Sequence, residues 1–71
     1  MTPVAIRQLR ERHNLDRRQF AQLVWQSERA VSGWEYGERN IPKALYELLL
    51  IKLGEDELLA ELTGGSNEGR N

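Results

Sequence analysis

Not one of the 71 residues is a cysteine and only one is a histidine, which leaves a chain this short without the usual braces of a small fold. Below about 70 to 80 residues an apolar core is marginal unless disulfides, a bound metal or a partner subunit add to it. Composition excludes disulfides and thiolate metal sites, so the expected architecture is a compact helical core with self-association as the remaining aid. The length allows one domain. There is no charged start leading into an apolar run, and no stretch near the roughly 20 apolar residues that a bilayer crossing takes. The chain is therefore expected to be soluble and unprocessed, with no membrane partner. The lack of cysteine also fits a reducing cytoplasm.

Start and stop signals divide the chain into short helices. Thr2 before Pro3 reads as an N-cap and first helical residue, and Val4, Ile6 and Leu9 follow at helical spacing to about His13, where Asn14 can stop the helix in the left-handed conformation. Asp16 with Gln19 three residues on resembles a capping box, and Phe20, Ala21, Leu23 and Val24 supply the apolar face of a second helix about two turns long. After a break near Trp25 and Gln26, Ser27 caps a third helix from Glu28 to Glu35, with Val31 and Trp34 spaced to point inward and Gly37 as its stop. A fourth helix runs from about Pro42 to Leu53 and is apolar nearly all round, as expected of a central element or an interface. Past Gly54, a short acidic helix from Glu55 to Leu62 places Leu58, Leu59 and Leu62 on one side. The segment from Thr63 to Asn71 has no large apolar residue and is expected to be a disordered tail. No strand-like alternation competes, and the predicted fold is an all-α bundle of about five short helices, with residues 1–62 as the domain and 63–71 as the tail.

The net charge of −1 argues against a nucleic-acid partner until it is resolved by segment. Up to Lys43, eight basic residues outweigh five acidic ones for a net +3, whereas from residue 44 onward two basic residues face six acidic ones for −4. That asymmetry reads either as a basic working end with an acidic far end or as ordinary surface charge.

Two short helices joined by a tight turn, the second opening on Ser27, form a helix-turn-helix pattern. The stretch from Leu15 to Arg39, LDRRQFAQLVWQSERAVSGWEYGER, resembles the phage repressor and Cro helix-turn-helix family of DNA-binding transcriptional regulators, also called the xenobiotic-response-element family. Leu15, Phe20, Ala21, Leu23, Ser27, Val31, Ser32, Trp34, Glu35, Gly37, Glu38 and Arg39 carry the match, and the first and fourth helices extend it to most of residues 4–53. Small Ala21 lets the second and third helices approach closely, and Leu23, Val31 and Trp34 fill the wedge between them, so Ala21, Val31 and Trp34 are read as structural. The resemblance also implies a partly buried salt bridge between Arg10 and Glu35. Two departures stand out. The turn position that is usually glycine is Trp25, which implies either another turn geometry or an outward ring that meets DNA or a partner. Gly33 replaces a longer polar side chain that in the family often reaches a base.

The resemblance implies a lambda repressor-like domain with its third helix in the DNA major groove, the outward residues Glu28, Arg29, Ser32 and Gly33 facing base edges. Arg29 suits guanine O6 and N7 and Glu28 suits cytosine N4, although Glu28 in the first turn can equally favour the helix dipole and orient Arg29. Phosphate contacts are expected from Arg17, Arg18, Ser27, Tyr36, Arg39, Asn40 and Lys43. One copy reads only about four base pairs, so a two-fold homodimer on an inverted-repeat operator is expected. Its candidate interface is Leu45, Leu48, Leu49, Ile51, Leu58, Leu59 and Leu62, which the monomer core also competes for.

The reading is a transcriptional repressor, acting in the cytoplasm of a bacterial or phage-infected cell in association with the nucleoid. It includes control of the protein's own operon and an origin in a phage or other mobile element. The alternative is an antitoxin-like or phage regulatory subunit that binds a protein partner through the acidic C-terminal end. No cofactor and no metal are expected. A hydrolase or nuclease is disfavoured, because His13 is alone and Glu55, Asp56 and Glu57 are consecutive and splay around a helix. A fold used only as a protein adaptor is separated from a DNA reader by the effect of Arg29→Ala on DNA binding.

Overall fold

The computed structural model describes residues 2–63, which form five helices: α1 (Pro3–Arg12), α2 (Arg17–Gln22), α3 (Glu28–Tyr36), α4 (Lys43–Lys52) and α5 (Asp56–Leu62). There is no strand among the described residues. Residues 64–71, nearly all of the expected tail, lie outside them.

The first three helices begin where side chains can satisfy free backbone donors. The Thr2 hydroxyl accepts from the Ala5 amide at 3.0 Å, and the Ser27 hydroxyl accepts from the Ala30 amide at 3.1 Å. Asp16 and Gln19 form a complete capping box: the Gln19 amide donates to Asp16 at 2.7 Å, and the Asp16 amide donates to the Gln19 side chain at 2.9 Å. Gly37 ends α3 at φ 78°, a left-handed conformation that costs glycine little, and Asn14 takes φ 57° in the turn after α1. The helix ends differ from the sequence expectation by a residue or two, as at the C-terminus of α1, where His13 is the cap and not the last helical residue.

The core joins Ile6 and Leu9 of α1 to Phe20 and Ala21 of α2, Val24 of the turn, Ala30, Val31 and Trp34 of α3, Ile41 of the following loop, and Tyr46, Leu49 and Leu50 of α4. Helix α3 is central to this arrangement, packed against both α1 and α2. Ala21 is buried between α2 and α3, as its size demands. The leucine-rich segment divides unequally. Leu49, expected at a subunit interface, is fully buried in the monomer core, which corrects that assignment. Leu45, Leu48, Leu58, Leu59 and Leu62 are half-buried against the same core, whereas Ile51 is 58% exposed. Helix α5 packs on α4 but has no fully buried residue of its own.

Candidate nucleic-acid interface

Glu35 is the only buried charged residue of the described chain, and three arginines surround it. Arg10 donates from Nε at 2.6 Å and from Nη2 at 3.0 Å, a bidentate pair that ties α1 to the C-terminal half of α3. Arg17, at the first position of α2, donates to the same carboxylate at 3.1 Å and to the Tyr36 hydroxyl at 3.2 Å, with its guanidinium 5.3 Å from the Tyr36 ring centre. Arg7 Nε stands 3.9 Å from Glu35 Oε1, too far for a hydrogen bond. Burial pushes the Glu35 carboxyl up, but the hydrogen bonds and charges of Arg10 and Arg17 outweigh it and hold the group below the ordinary carboxylate value. Arg10 in turn is raised, first by its hydrogen bond to Glu35. The cluster therefore stays ionised at neutral pH and fixes the angles among α1, α2 and α3.

This locks the helix-turn-helix with the start of α3 facing solvent. Ser27, Glu28 and Arg29 are exposed at its N-terminus, Ser32 is half-buried one turn on, and Tyr36 is exposed at the other end. Arg18 at the start of α2, Arg39 and Asn40 in the loop after α3, and Lys43 opening α4 are exposed as well. No side-chain hydrogen bond or ion pair to another described residue engages Arg18, Arg29, Arg39 or Lys43. Arg17 differs, being half-buried and already bound to Glu35 and Tyr36.

Gly33 departs from the sequence expectation. It was expected on the base-reading face, yet it is buried, because the side chain of Arg39 lies across it. The Glu38 and Arg39 amides donate to the Gly33 carbonyl at 2.9 and 3.1 Å, folding the loop back over the last turn of α3. Arg39 thus stands between Gly33 and any base edge that α3 approaches.

The turn between α2 and α3 keeps a left-handed residue even though that residue is Trp25, at φ 56°. Trp25 is 76% exposed as a residue, and its ring packs against the Lys52 ammonium, 3.9 Å from the ring centre, while Lys52 also donates to the Leu23 carbonyl. The outward ring thus meets α4 of its own chain. Sequence reasoning missed this contact, as it missed the convergence of Arg7 and Arg17 on Glu35; the spacing of Arg7 and Arg10, three apart on one helix face, was the available signal. Nor did it pair His13 with Glu55, which lie 2.7 Å apart with Arg12 at 2.9 Å, an arrangement that pins the start of α5 to the end of α1. Glu55 is held below its ordinary value, chiefly by the His13 hydrogen bond. Among the described residues no three metal-ligating side chains gather, and no helix is long and apolar enough to cross a membrane.

Crossed helices α2 and α3, locked by α1 and presenting an exposed, side-chain-capped helix start among unpaired cations, define a DNA-binding helix-turn-helix domain. The chain belongs to the helix-turn-helix family of the Cro and phage repressor type, whose model matches residues 6–59. It is accordingly a DNA-binding transcriptional regulator, of a family that is not enzymatic. Comparison with curated proteins and with solved structures returned no match.

Proposed function

We propose that the protein is a cytoplasmic transcriptional repressor that binds an inverted-repeat operator as a homodimer, with α3 in the major groove. By occupying a promoter it controls transcription, its own operon included. The observation that carries this reading is the exposed start of α3, where Arg29 has no side-chain hydrogen bond or ion pair among the described residues and the cations Arg18 and Lys43 stand equally unpaired among them on the neighbouring helix starts. In this reading Arg29 donates to guanine O6 and N7, Glu28 accepts from cytosine N4 or orients Arg29, and Ser32 reaches a base or sugar from one turn further. Arg18, Ser27, Asn40 and Lys43 contact phosphate. Arg17 and Tyr36 contact it as a unit already oriented by Glu35. The dimer forms around exposed Ile51 with Leu45, Leu48, Leu58, Leu59 and Leu62 at its margin, setting half-sites about 34 Å apart.

In vitro selection from random duplex DNA with the purified protein near physiological salt tests the reading. The expected product is an inverted repeat with half-sites one helical turn apart. Recovery of only sequence-independent, salt-sensitive binding would refute it.

A second reading, a regulatory subunit that engages a protein partner through its C-terminal end, is favoured by two features: the net −4 charge from residue 44 onward and the absence of any fully buried residue in α5. Neutralising α5 by Asp56→Asn, Glu57→Gln and Glu61→Gln should then weaken capture of that partner while leaving DNA binding intact. Unchanged partner capture would remove the acidic helix from this role.

A further inference from the structure

Five arginines of α1 and α2 can be compared with Arg29 in the first turn of α3 and Arg39 in the loop after it. Arg7, Arg10, Arg12 and Arg17 each lie within ion-pair distance of a carboxylate, and Arg18 is exposed near the start of α2. Arg29 and Arg39 have no such carboxylate partner among the described residues, yet they line one concavity together with Gly33 and Glu38. The course of Arg39 is a consequence of Gly33. Arg29 and Gly33 are four residues apart and therefore stack on one face of α3. A Cβ at Gly33 would fall 2.6 Å from Arg39 Cδ and 3.0 Å from Cγ, so a side chain there and the present course of Arg39 are mutually exclusive. The two amide bonds to the Gly33 carbonyl hold the base of the Arg39 side chain in place.

From this geometry we infer that Arg39 is a specificity-determining residue: laid across Gly33, it takes the place of a side chain at position 33 and presents its guanidinium fork to a guanine edge next to the one read by Arg29. The inference rests on the reading that α3 enters the major groove. The two guanidinium groups share this concave face with Glu38, which is in ion-pair contact with neither, and a guanine offers O6 and N7 in the spacing a planar fork matches. A phosphate would satisfy the charge equally, without regard to sequence.

The test uses the full chain and the operator recovered by selection, comparing Arg39→Ala, Arg39→Lys, Gly33→Ala and Arg29→Ala on that operator, on single-base variants of it, and on scrambled DNA. Arg39→Ala should weaken binding to the operator by about 5- to 100-fold, relax preference at one base pair distinct from that affected by Arg29→Ala, and barely change binding to scrambled DNA. Arg39→Lys, which keeps the charge but loses the fork, should not restore the preference. Gly33→Ala should reproduce the same relaxation with Arg39 still present, and circular dichroism should show it folded, since alanine is the better helix former. Replacing the guanine at that position with 7-deazaguanine, which removes N7 but keeps O6, should narrow the difference between the unaltered protein and the Arg39→Ala variant.

Equal losses on operator and scrambled DNA, with rescue by lysine, would make Arg39 a phosphate contact and overturn the inference. So would a Gly33→Ala protein that keeps full specificity. If Arg29→Ala relaxes specificity and Arg39→Ala does not, this inference falls and the major-groove reading stands. If the unaltered protein selects no sequence, both fall.

Discussion

Replacing Glu35 by Gln removes one negative charge from a site where three guanidinium groups converge, and it should be among the most damaging conservative changes in the chain. The Glu35 side chain is 0% exposed and that of Arg10 is 11% exposed, so neither recovers hydration when the other is neutralised. Arg10 would keep its bond to the Leu15 carbonyl at 2.9 Å but lose a charge-assisted pair, leaving a nearly buried cation with no carboxylate in contact and only the more distant charges of Glu11 and Asp16. Breaking one partner of a buried pair costs about 3 to 5 kcal/mol. A core of this size rarely supplies more than about 3 to 5 kcal/mol in total, so Glu35→Gln should be largely unfolded at 25 °C. The reverse change, Arg10→Met, should cost less, because Arg17 remains 3.1 Å from the carboxylate and Arg7 stands within 3.9 Å. Replacing both, as Arg10→Met with Glu35→Leu, should return most of the stability, since well-packed apolar groups often replace a buried pair without loss.

Urea melts followed by circular dichroism measure the variants that fold, and the helical signal of Glu35→Gln without urea measures how much of it remains folded. The same melts against pH carry a second signature. Because the folded-state carboxyl of Glu35 lies below its ordinary value, its contribution is complete above the carboxylate range and is lost as pH falls through the folded value. The double variant should lack that part of the acid dependence. A Glu35→Gln protein destabilised by less than about 1 kcal/mol, or a double variant no better than the single, would refute the argument that an uncompensated charge dominates.

Other changes probe the frame of the recognition helix. Trp25→Gly should be more stable than Trp25→Ala by about 1 kcal/mol in thermal melts, because glycine relieves the left-handed strain at φ 56° while both variants lose the Lys52 contact; equal stability would mean the turn does not require that conformation. Gly37→Ala should cost about 1 kcal/mol through strain at φ 78°, since its new Cβ meets only Pro3 Cγ at an ordinary 3.5 Å. Asp16→Ala, which dissolves the capping box, should cost about 1 kcal/mol, and Asp16→Asn or Asp16→Ser should recover most of it in the same melts.

Features that depend only on near neighbours were legible in the order of the residues. Thr2, Asp16 with Gln19, and Ser27 mark three helix starts because a cap closes a hydrogen bond across only three residues, and Gly37 marks a stop because left-handed backbone is a property of one residue. The inward faces of α1, α2 and α3 followed from periodicity, and the joining of Arg10 to Glu35 followed from resemblance. Other features needed the helices to be set against one another. Leu49 and Ile51 lie two positions apart on α4 and so face nearly opposite ways, but with apolar residues almost all round that helix only its docking on the core decides that Leu49 is the buried one and Ile51 the exposed one. Arg7 and Arg17 join Glu35 across 28 and 18 residues, and Lys52 meets Trp25 across 27. Most telling is Gly33, whose missing side chain on the recognition helix is replaced by one from the following loop. No local pattern encodes that exchange, because it is fixed by the path of a loop over a helix surface, and that path is decided by the packing of the whole domain.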